Sequence, residues 1–396
     1  MDVTICPGPL RGTVRVPVSK SEAHRALICA ALCPEGTAVV CPDPAADVLA
    51  TAQGLWALGT GMEYQNGKFY VNQILPSRTA LIDCGESGST LRFLLPLAAA
   101  LGTETEFRCR GRLAERPMQP LLELLCANGC ALQRSPEGWR LSGKLEPGDY
   151  LLDASASSQF LSGILMALPL LPGSSVRLNG EFASKDYVNL TAEVLSRFGV
   201  EISCPEGVYT SAGRLQSPGE YLPEGDWSAA AFWLTANALG STLRVEGLAP
   251  DSVQGDREVT GLIDAVRSGS AVIDAGDVPD LVPPLAVLAA VTPGETCFTN
   301  AARLRQKESD RLAALTALLN GLGGECEETA DGLRIRGVTS LRGGSADGFG
   351  DHRIAMSAAI AATVCDGPVT LRGTECVNKS YPAFWSEFER LGGIMR

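Results

Sequence analysis

Six copies of one strand-and-helix unit, three in each of two α/β domains, is the architecture this sequence predicts. Three observations carry it. The chain has 396 residues, more than a single hydrophobic core usually supports, and its 45% hydrophobic content is enough for two cores. A pattern of small or charged residues, an Ala/Leu-rich stretch, a glycine and an alternating strand recurs six times. Each copy is followed by an amphipathic segment such as "LLELLCANGC" or "LTAEVLSRFGV", whose large apolar residues recur three or four apart, as in a half-buried helix.

The first copy, "SKSEAHRALICAALCPEGTAVV", starts near position 19 and closes in a hairpin turning at "NGK" (66–68). The second, "ESGSTLRFLLPLAAALGTETEFRC", starts near 86 and turns at "EGW" (137–139). The third, "SSQFLSGILMALPLLPGSSVRLNG", starts near 157 and turns at "EGV" (206–208). Pro223 and Gly225 in "LPEGDWSAA" then break the pattern, which marks a crossing between domains. The fourth copy, "DWSAAAFWLTANALGSTLRVEG", starts near 226 and lacks a readable hairpin, since the fifth, "PDLVPPLAVLAAVTPGETCFTN", follows 53 residues later, near 279. The fifth turns at "DGL" (331–333), and the sixth, "DHRIAMSAAIAATVCDGPVTLRG", starts near 351. A glycine in the left-handed conformation is expected in each turn. The apolar helices carry almost no polar face, so they are expected at the centre, covered by amphipathic helices and strands. A continuous solenoid would show the same periodicity but would not place charges at its buried helix starts.

Composition excludes several function classes. A formal net charge of −12 speaks against nucleic-acid binding, whose affinity comes largely from surplus Lys and Arg. No run of about 18 apolar residues is free of charges or breakers, and "MDVTICPGPLRG" lacks the order of a signal peptide, so a soluble cytoplasmic chain is expected. The 13 cysteines include no C-x-x-C pair. Cys29/Cys33 and Cys126/Cys130 are spaced i, i+4 on expected helices, but His24 and His352 are the only histidines. A zinc site therefore lacks ligands, and the thiols read as reduced structural residues.

The starts of the apolar helices hold cations: Lys20 and Arg25 in "SKSEAHR", Arg92 in "SGSTLR", Arg353 in "DHR". A helix N-terminus carries about half a positive charge, so a cation there is unfavourable unless an anion joins it. Ser, Thr and Gly at the same starts free backbone N–H groups for phosphate or carboxylate oxygens. There is no G-x-x-x-x-G-K-[ST] loop and no G-x-G-x-x-G after a strand, so nucleotide binding is unsupported. Singly, Ser19, Ser21, Ser87 and Ser157 read as ordinary N-caps and each Arg as a surface residue. Jointly, Lys20, Arg25, Arg92, Arg116, Lys307, Arg311, Arg353 and Lys379 sit at corresponding ends of different units, which points to a small polyanionic ligand held between domains.

The ordered series "SKSEAHRALICAAL", "GESGSTLRFLLPLAAALG", "RLAERPMQPLLELL", "SASSQFLSGILMALPL", "SKDY", "VPDLVPPLAVLAA", "QKESDRL", "FGDHRIAM" and "NKSYPAFWSEFERLGG" resembles the EPSP synthases, the 3-phosphoshikimate 1-carboxyvinyltransferases of the shikimate pathway, from the first strand to the last helix. The resemblance implies an inside-out α/β barrel of six β-α-β-α-β-β units, the fourth truncated. It assigns residues 1–18 and 226–396 to one domain and 19–225 to the other, with the active site in the cleft between them. The implied reaction transfers the enolpyruvyl group of phosphoenolpyruvate to the 5-hydroxyl of 3-phosphoshikimate through a tetrahedral intermediate, releasing phosphate.

Matching motif positions imply that Asp280 accepts the 5-hydroxyl proton, Glu308 moves the C3 proton and Lys20 assists as cation or acid. Phosphoenolpyruvate falls to Lys20, Gly88, Arg116, Gln159, Arg311, Arg353 and Lys379. The 3-phosphoshikimate falls to Lys20, Ser21, Arg25, Ser157, Ser158, Gln159, Ser184, Tyr187, Asp280, Arg303 and Lys307, with Arg92 supporting the phosphate-side loop. The residues alone leave alternatives: Asp280 as a cap of the fifth apolar helix, and Glu308 as a counter-charge to Lys307 and Arg311. The expected partners are these two small molecules, with no metal, cofactor, nucleic acid or membrane, and the chain is expected to be a monomer. Two opposite charges about 4 Å apart attract by roughly 4 kcal/mol at an effective dielectric near 20, so closure that excludes water is expected to strengthen the site.

The sister transferase acting on UDP-N-acetylglucosamine carries a loop cysteine five residues before an R-P pair; here that position is Gly111, and Cys109 is out of register. A non-catalytic anion-binding scaffold would need the cations but neither Asp280 nor Glu308. An RNA-phosphate cyclase, related in fold, is disfavoured by the net charge. Arg303 stands where many EPSP synthases have Asn, and Phe93 where many have Pro. Gly88 leaves the phosphoenolpyruvate pocket uncrowded, which implies inhibition by glyphosate in competition with that substrate.

Overall fold

The computed structural model describes residues 1–153, 157–180 and 185–396. Its α-helices alternate in kind: α1 (Lys20–Leu32), α2 (Ala46–Ala57), α3 (Gly88–Leu101), α4 (Gln119–Ala127), α5 (Ser158–Ala167), α6 (Lys185–Arg197), α7 (Trp227–Ala238), α8 (Val259–Arg267), α9 (Val282–Val291), α10 (Arg311–Gly321), α11 (His352–Ala362) and α12 (Phe384–Arg390). The odd-numbered helices are the six apolar stretches, and they are buried almost throughout; in α11 every residue from His352 to Ala362 is buried. The even-numbered ones bury one face, as in α8, where Val259, Ile263 and Val266 recur at helical spacing.

Two compact units emerge: Met1–Pro17 with Gly225–Arg396, and Val18–Glu224. In the second, α1, α3 and α5 pack on one another, and α2 and α6 lie against them. In the first, α7, α9 and α11 form the equivalent trio, flanked by α8 and α10. Trp233 of α7 stacks on Phe384 of α12 at 5.0 Å between centroids, which ties the last helix to this core.

The sheets repeat one order, a parallel pair followed by an antiparallel hairpin. In the second repeat Thr79–Asp83 runs parallel to Glu104–Arg108, which pairs antiparallel with Gly138–Gly143, and Cys130–Ser135 closes the edge. The fourth repeat has only the parallel pair of Arg11–Arg15 and Thr242–Glu246, so it is truncated as the short interval implies. The sixth has no hairpin of its own: the first strand, Asp2–Cys6, and the last, Ile394–Met395, stand in for it beside Val369–Arg372.

The turns correct one expectation. Asn66 and Gly67 have φ of 51° and 75°, and Glu206 and Gly207 have 51° and 78°, so these two hairpins do use the left-handed region. Gly332 does not have positive φ. It is needed for space: a Cβ there would lie 1.8 Å from the Phe298 carbonyl oxygen, and one at Gly138 would lie 2.2 Å from that of Phe107. Cys33 and Cys130 lie just outside α1 and α4, as a C-cap and a strand start.

Candidate active site

Five of the six apolar helices start on a residue whose side chain accepts a backbone N–H: Ser19, Ser87, Ser157, Asp226 and Asp351. The exception is α9. Its cap position is Leu281, with no side-chain bond, and Pro283 and Pro284 in its first turn have no N–H to satisfy. Asp280 is therefore not a helix cap, and its carboxylate turns to two arginines. Arg311 Nη1 donates to Asp280 Oδ1 at 2.8 Å and Arg353 Nη2 to Asp280 Oδ2 at 2.9 Å.

Arg311, the first residue of α10, is almost fully buried and joins three carboxylates: Asp280, Asp351 through Nε at 2.8 Å, and Glu308 through Nη2 at 2.8 Å. The other oxygen of Glu308 faces Lys379 Nζ at 3.4 Å. Glu308 thus balances Arg311, as a counter-charge would, and also binds a second cation from the end of the chain. Burial opposes charge on Asp280, yet Arg353, Lys307 and Arg311 prevail and hold it well below the usual carboxylate range, with Glu308 acting the other way. Burial likewise opposes charge on Arg311, but Asp351, Glu308 and Asp280 raise its proton affinity above the ordinary arginine value.

Within "RQKESDR" the charges divide. Lys307, Glu308 and Arg311 belong to this cluster, whereas Asp310 caps α10 by accepting from Ala313 N at 3.1 Å and Arg305 pairs outward with Asp310 and Glu328. Arg303 donates to the Gly276 carbonyl at 2.6 Å. Three further acidic residues that hold these charged groups were not legible in the sequence. Asp351 holds Arg311 and accepts from Ser309 Oγ at 3.1 Å. Asp256, buried and bonded by Ser228 Oγ, has its carboxyl pushed up to about 7, first by burial and then by Asp280, with Arg353 and Ser228 acting against that and Asp226 adding to it. Asp47, in the other unit, is the third.

There, Lys20 opens α1 and donates to Asp47 Oδ2 in the first turn of α2 at 2.9 Å. An acidic residue in the first turn of an amphipathic helix was the available signal. Arg25, one turn further into α1, is buried, and its hydrogen bonds go to neutral oxygens: Thr191 Oγ1 at 2.8 Å, Ser21 O at 2.6 Å, Tyr187 O at 3.1 Å and Ser162 Oγ at 3.3 Å. Burial pulls its pKa down to about 10. Its guanidinium also lies over the Phe93 ring at 4.9 Å, which gives that departure from the family pattern a defined contact. A buried cation whose hydrogen-bond partners among the described residues are all neutral is arranged to receive an anion.

Arg92 in α3 donates to Gln159 Oε1 at 2.7 Å and to the Pro117 carbonyl at 3.3 Å, and Gln159 Nε2 in turn donates to Ser89 Oγ at 2.9 Å. Gly88 opens α3 against two guanidiniums: a Cβ there would lie 3.1 Å from Arg116 Nη1 and 3.3 Å from Arg92 Nη1. Ser157 caps α5 through Gln159 N at 3.3 Å, and Ser158 is its first residue. Ser184 lies outside the described residues. His24, kept neutral by burial and by the charges of Lys20 and Arg25, bonds Thr51 at 2.7 Å inside the helix trio. Among the described residues no group of three or more His, Cys, Asp or Glu could hold a metal ion, and no helix is long and apolar enough to cross a membrane.

Each unit therefore collects cations and small polar residues at the starts of its buried helices, and one unit adds Asp280 and Glu308. The family described as EPSP synthase (3-phosphoshikimate 1-carboxyvinyltransferase) matches residues 6–388. A 3-phosphoshikimate 1-carboxyvinyltransferase of Clostridium kluyveri is 40% identical, over 99% of this chain and 97% of that protein. One from Clostridium perfringens is 38% identical over 100% and 99%. Among solved structures, EPSP synthase from Acinetobacter baumannii superposes with a TM-score of 0.78 at 26% identity, covering 100% of this chain and 99% of that one. The enolpyruvyl transferase NikO from Streptomyces tendae shares the fold, with a TM-score of 0.76 at 19% identity over 100% and 98%. With a family match over nearly its whole length, the chain belongs to the EPSP synthases, the 3-phosphoshikimate 1-carboxyvinyltransferases.

Proposed function

We propose that this protein transfers the enolpyruvyl group of phosphoenolpyruvate to the 5-hydroxyl of 3-phosphoshikimate, releasing phosphate. The observation that carries the reading is the pair of carboxylates, Asp280 and Glu308, locked among Arg311, Arg353 and Lys379. Phosphoenolpyruvate brings a carboxylate and a phosphate, which suit Arg116, Arg311, Arg353, Lys379 and Lys20, together with Gly88 and Gln159. The 3-phosphoshikimate brings a second phosphate, which suits Arg25 and the hydroxyls of Ser21, Ser157, Ser158 and Ser184, with Tyr187, Arg303 and Lys307 around the ring.

Asp280 as it stands is a weak base, because its cationic neighbours hold it ionised. Substrate anions that take over Arg311 and Arg353 loosen those ion pairs and raise its proton affinity as the 5-hydroxyl arrives. The hydroxyl oxygen then adds to C2 of phosphoenolpyruvate while its proton passes to Asp280 and C3 takes a proton from Glu308 or Lys20, which gives the tetrahedral intermediate. Loss of a C3 proton to Glu308 and departure of phosphate restore the enol ether, and Lys20 supports the charge that develops. Purified protein given both substrates is expected to release phosphate, and to release none when either is omitted or when UDP-N-acetylglucosamine replaces 3-phosphoshikimate. No phosphate release with both substrates present would remove the proposal.

A further inference from the structure

The second repeat brings two cysteines together in a way that the transfer reaction does not use. Its strands Thr79–Asp83 and Glu104–Arg108 run parallel, with Ile82 beside Phe107 and Asp83 beside Arg108. Ile82 and Phe107 both point inward, at 1% and 0% exposure. Side chains alternate along a strand, so the next inward position of each is two residues on, at Cys84 and Cys109. The ladder continues that far, since Cys84 N donates to the Arg108 carbonyl at 2.8 Å, which sets Cys84 and Cys109 side by side at the register position after Asp83 and Arg108.

Neighbouring strands lie about 4.8 Å apart, inside the roughly 4.4 to 6.8 Å between Cα atoms that a disulfide accepts. Cys84 is fully buried, whereas Cys109 is partly exposed, and both are free. The adjacent Cys84 thiol and the charge of Arg134 lower the proton affinity of Cys109 against burial and Asp83, while Cys84 is pushed well up. The asymmetry supplies one accessible, more acidic thiol and one protected partner.

We propose that Cys84 and Cys109 are a redox-active thiol pair, which a hydroperoxide converts to an intramolecular disulfide. The Cys109 thiolate attacks one peroxide oxygen, the O–O bond breaks, and the other oxygen leaves as hydroxide and takes up a proton to become water. Cys84 sulfur then attacks the resulting sulfenic sulfur, loses its proton and expels the hydroxyl as a second water. Two thiols lose two electrons, and hydrogen peroxide becomes two waters.

The bond would join the roots of two segments: Cys84 precedes Gly88 by four residues, and Cys109 precedes Arg116 by seven. Drawing the sulfurs to bonding distance shifts both. The consequence for phosphoenolpyruvate rests on the reading of Gly88 and Arg116 given above, so the test has two readouts. Stoichiometric hydrogen peroxide on the folded chain is expected to remove two thiols, lower the intact mass by about 2 Da and yield one cross-linked peptide joining Cys84 to Cys109. Dithiothreitol is expected to reverse this. Cys84→Ser is expected to leave a sulfenic acid on Cys109 that dimedone traps, and Cys109→Ser, at the more exposed position, to abolish the cross-link. Peptides of folded wild type that stay uncross-linked, or that cross-link elsewhere as fast, overturn the thiol pair. The oxidised enzyme is expected to show a KM for phosphoenolpyruvate raised about tenfold, restored by dithiothreitol and unchanged by peroxide in Cys109→Ser. A disulfide that forms with no change in KM overturns the link to Gly88 and Arg116 alone.

Discussion

Gly88, Arg25 and Asp256 carry the sharpest consequences at the scale of single residues. A methyl group at Gly88 would press on Arg116 Nη1 at 3.1 Å and Arg92 Nη1 at 3.3 Å. Gly88→Ala is therefore expected to raise KM for phosphoenolpyruvate about tenfold, or ~1.4 kcal/mol, and to leave that for 3-phosphoshikimate within about twofold. Initial-rate kinetics check this, and in wild type the same measurement is expected to show glyphosate competing with phosphoenolpyruvate. Arg25→Met removes a buried charge that only neutral groups hold, so the unliganded melting temperature is expected to change little while stabilisation by 3-phosphoshikimate disappears. Asp256 has a folded pKa of about 7, above its unfolded value, so the folded state binds the extra proton. Stability from this group is present in acid and is lost as pH rises from about 4 to about 7. Asp256→Asn, which keeps a partner for Ser228, is expected to flatten that fall and to be more stable than wild type at pH 8 by about 2 kcal/mol in urea unfolding. The sequence shows the cations and the two catalytic candidates because each stands in a recognisable local string. It does not show Asp47, Asp256 or Asp351, whose partners lie 27, 28 and 40 residues away and meet them only through packing.

At the scale of elements, the repeat was legible because helices such as α9 and α11 lack a polar face, which only a buried position tolerates. Turn glycines were half legible. "NG" at Asn66 and Gly67 signals backbone conformation, but Gly332 answers to the Phe298 carbonyl of a strand some thirty residues earlier, which no local pattern announces. Gly332→Ala is accordingly expected to destabilise the chain by about 2 kcal/mol, through the clash and the loss of pairing between Leu333–Arg336 and Glu295–Thr299. Gly261→Ala is the control: it lies inside α8 with nothing within 4 Å of the added Cβ, so it is expected to stabilise by about 0.5 to 1 kcal/mol. Denaturant midpoints of the two variants, moving in opposite directions, check the distinction between glycine as space and glycine as mere flexibility.

At the scale of the whole molecule, the sequence shows six starts and one truncated unit, but not that the two chain ends complete the sixth sheet, since Asp2–Cys6 and Ile394–Met395 are short and carry no turn between them. The central claim is that Asp280 and Glu308 perform the proton transfers of enolpyruvyl transfer, and phosphate release by Asp280→Asn and Glu308→Gln beside wild type tests it most directly. Both variants remove a charge while keeping shape, so near-normal KM values with kcat lowered at least about 100-fold are expected. Near-normal kcat in both variants would contradict the account.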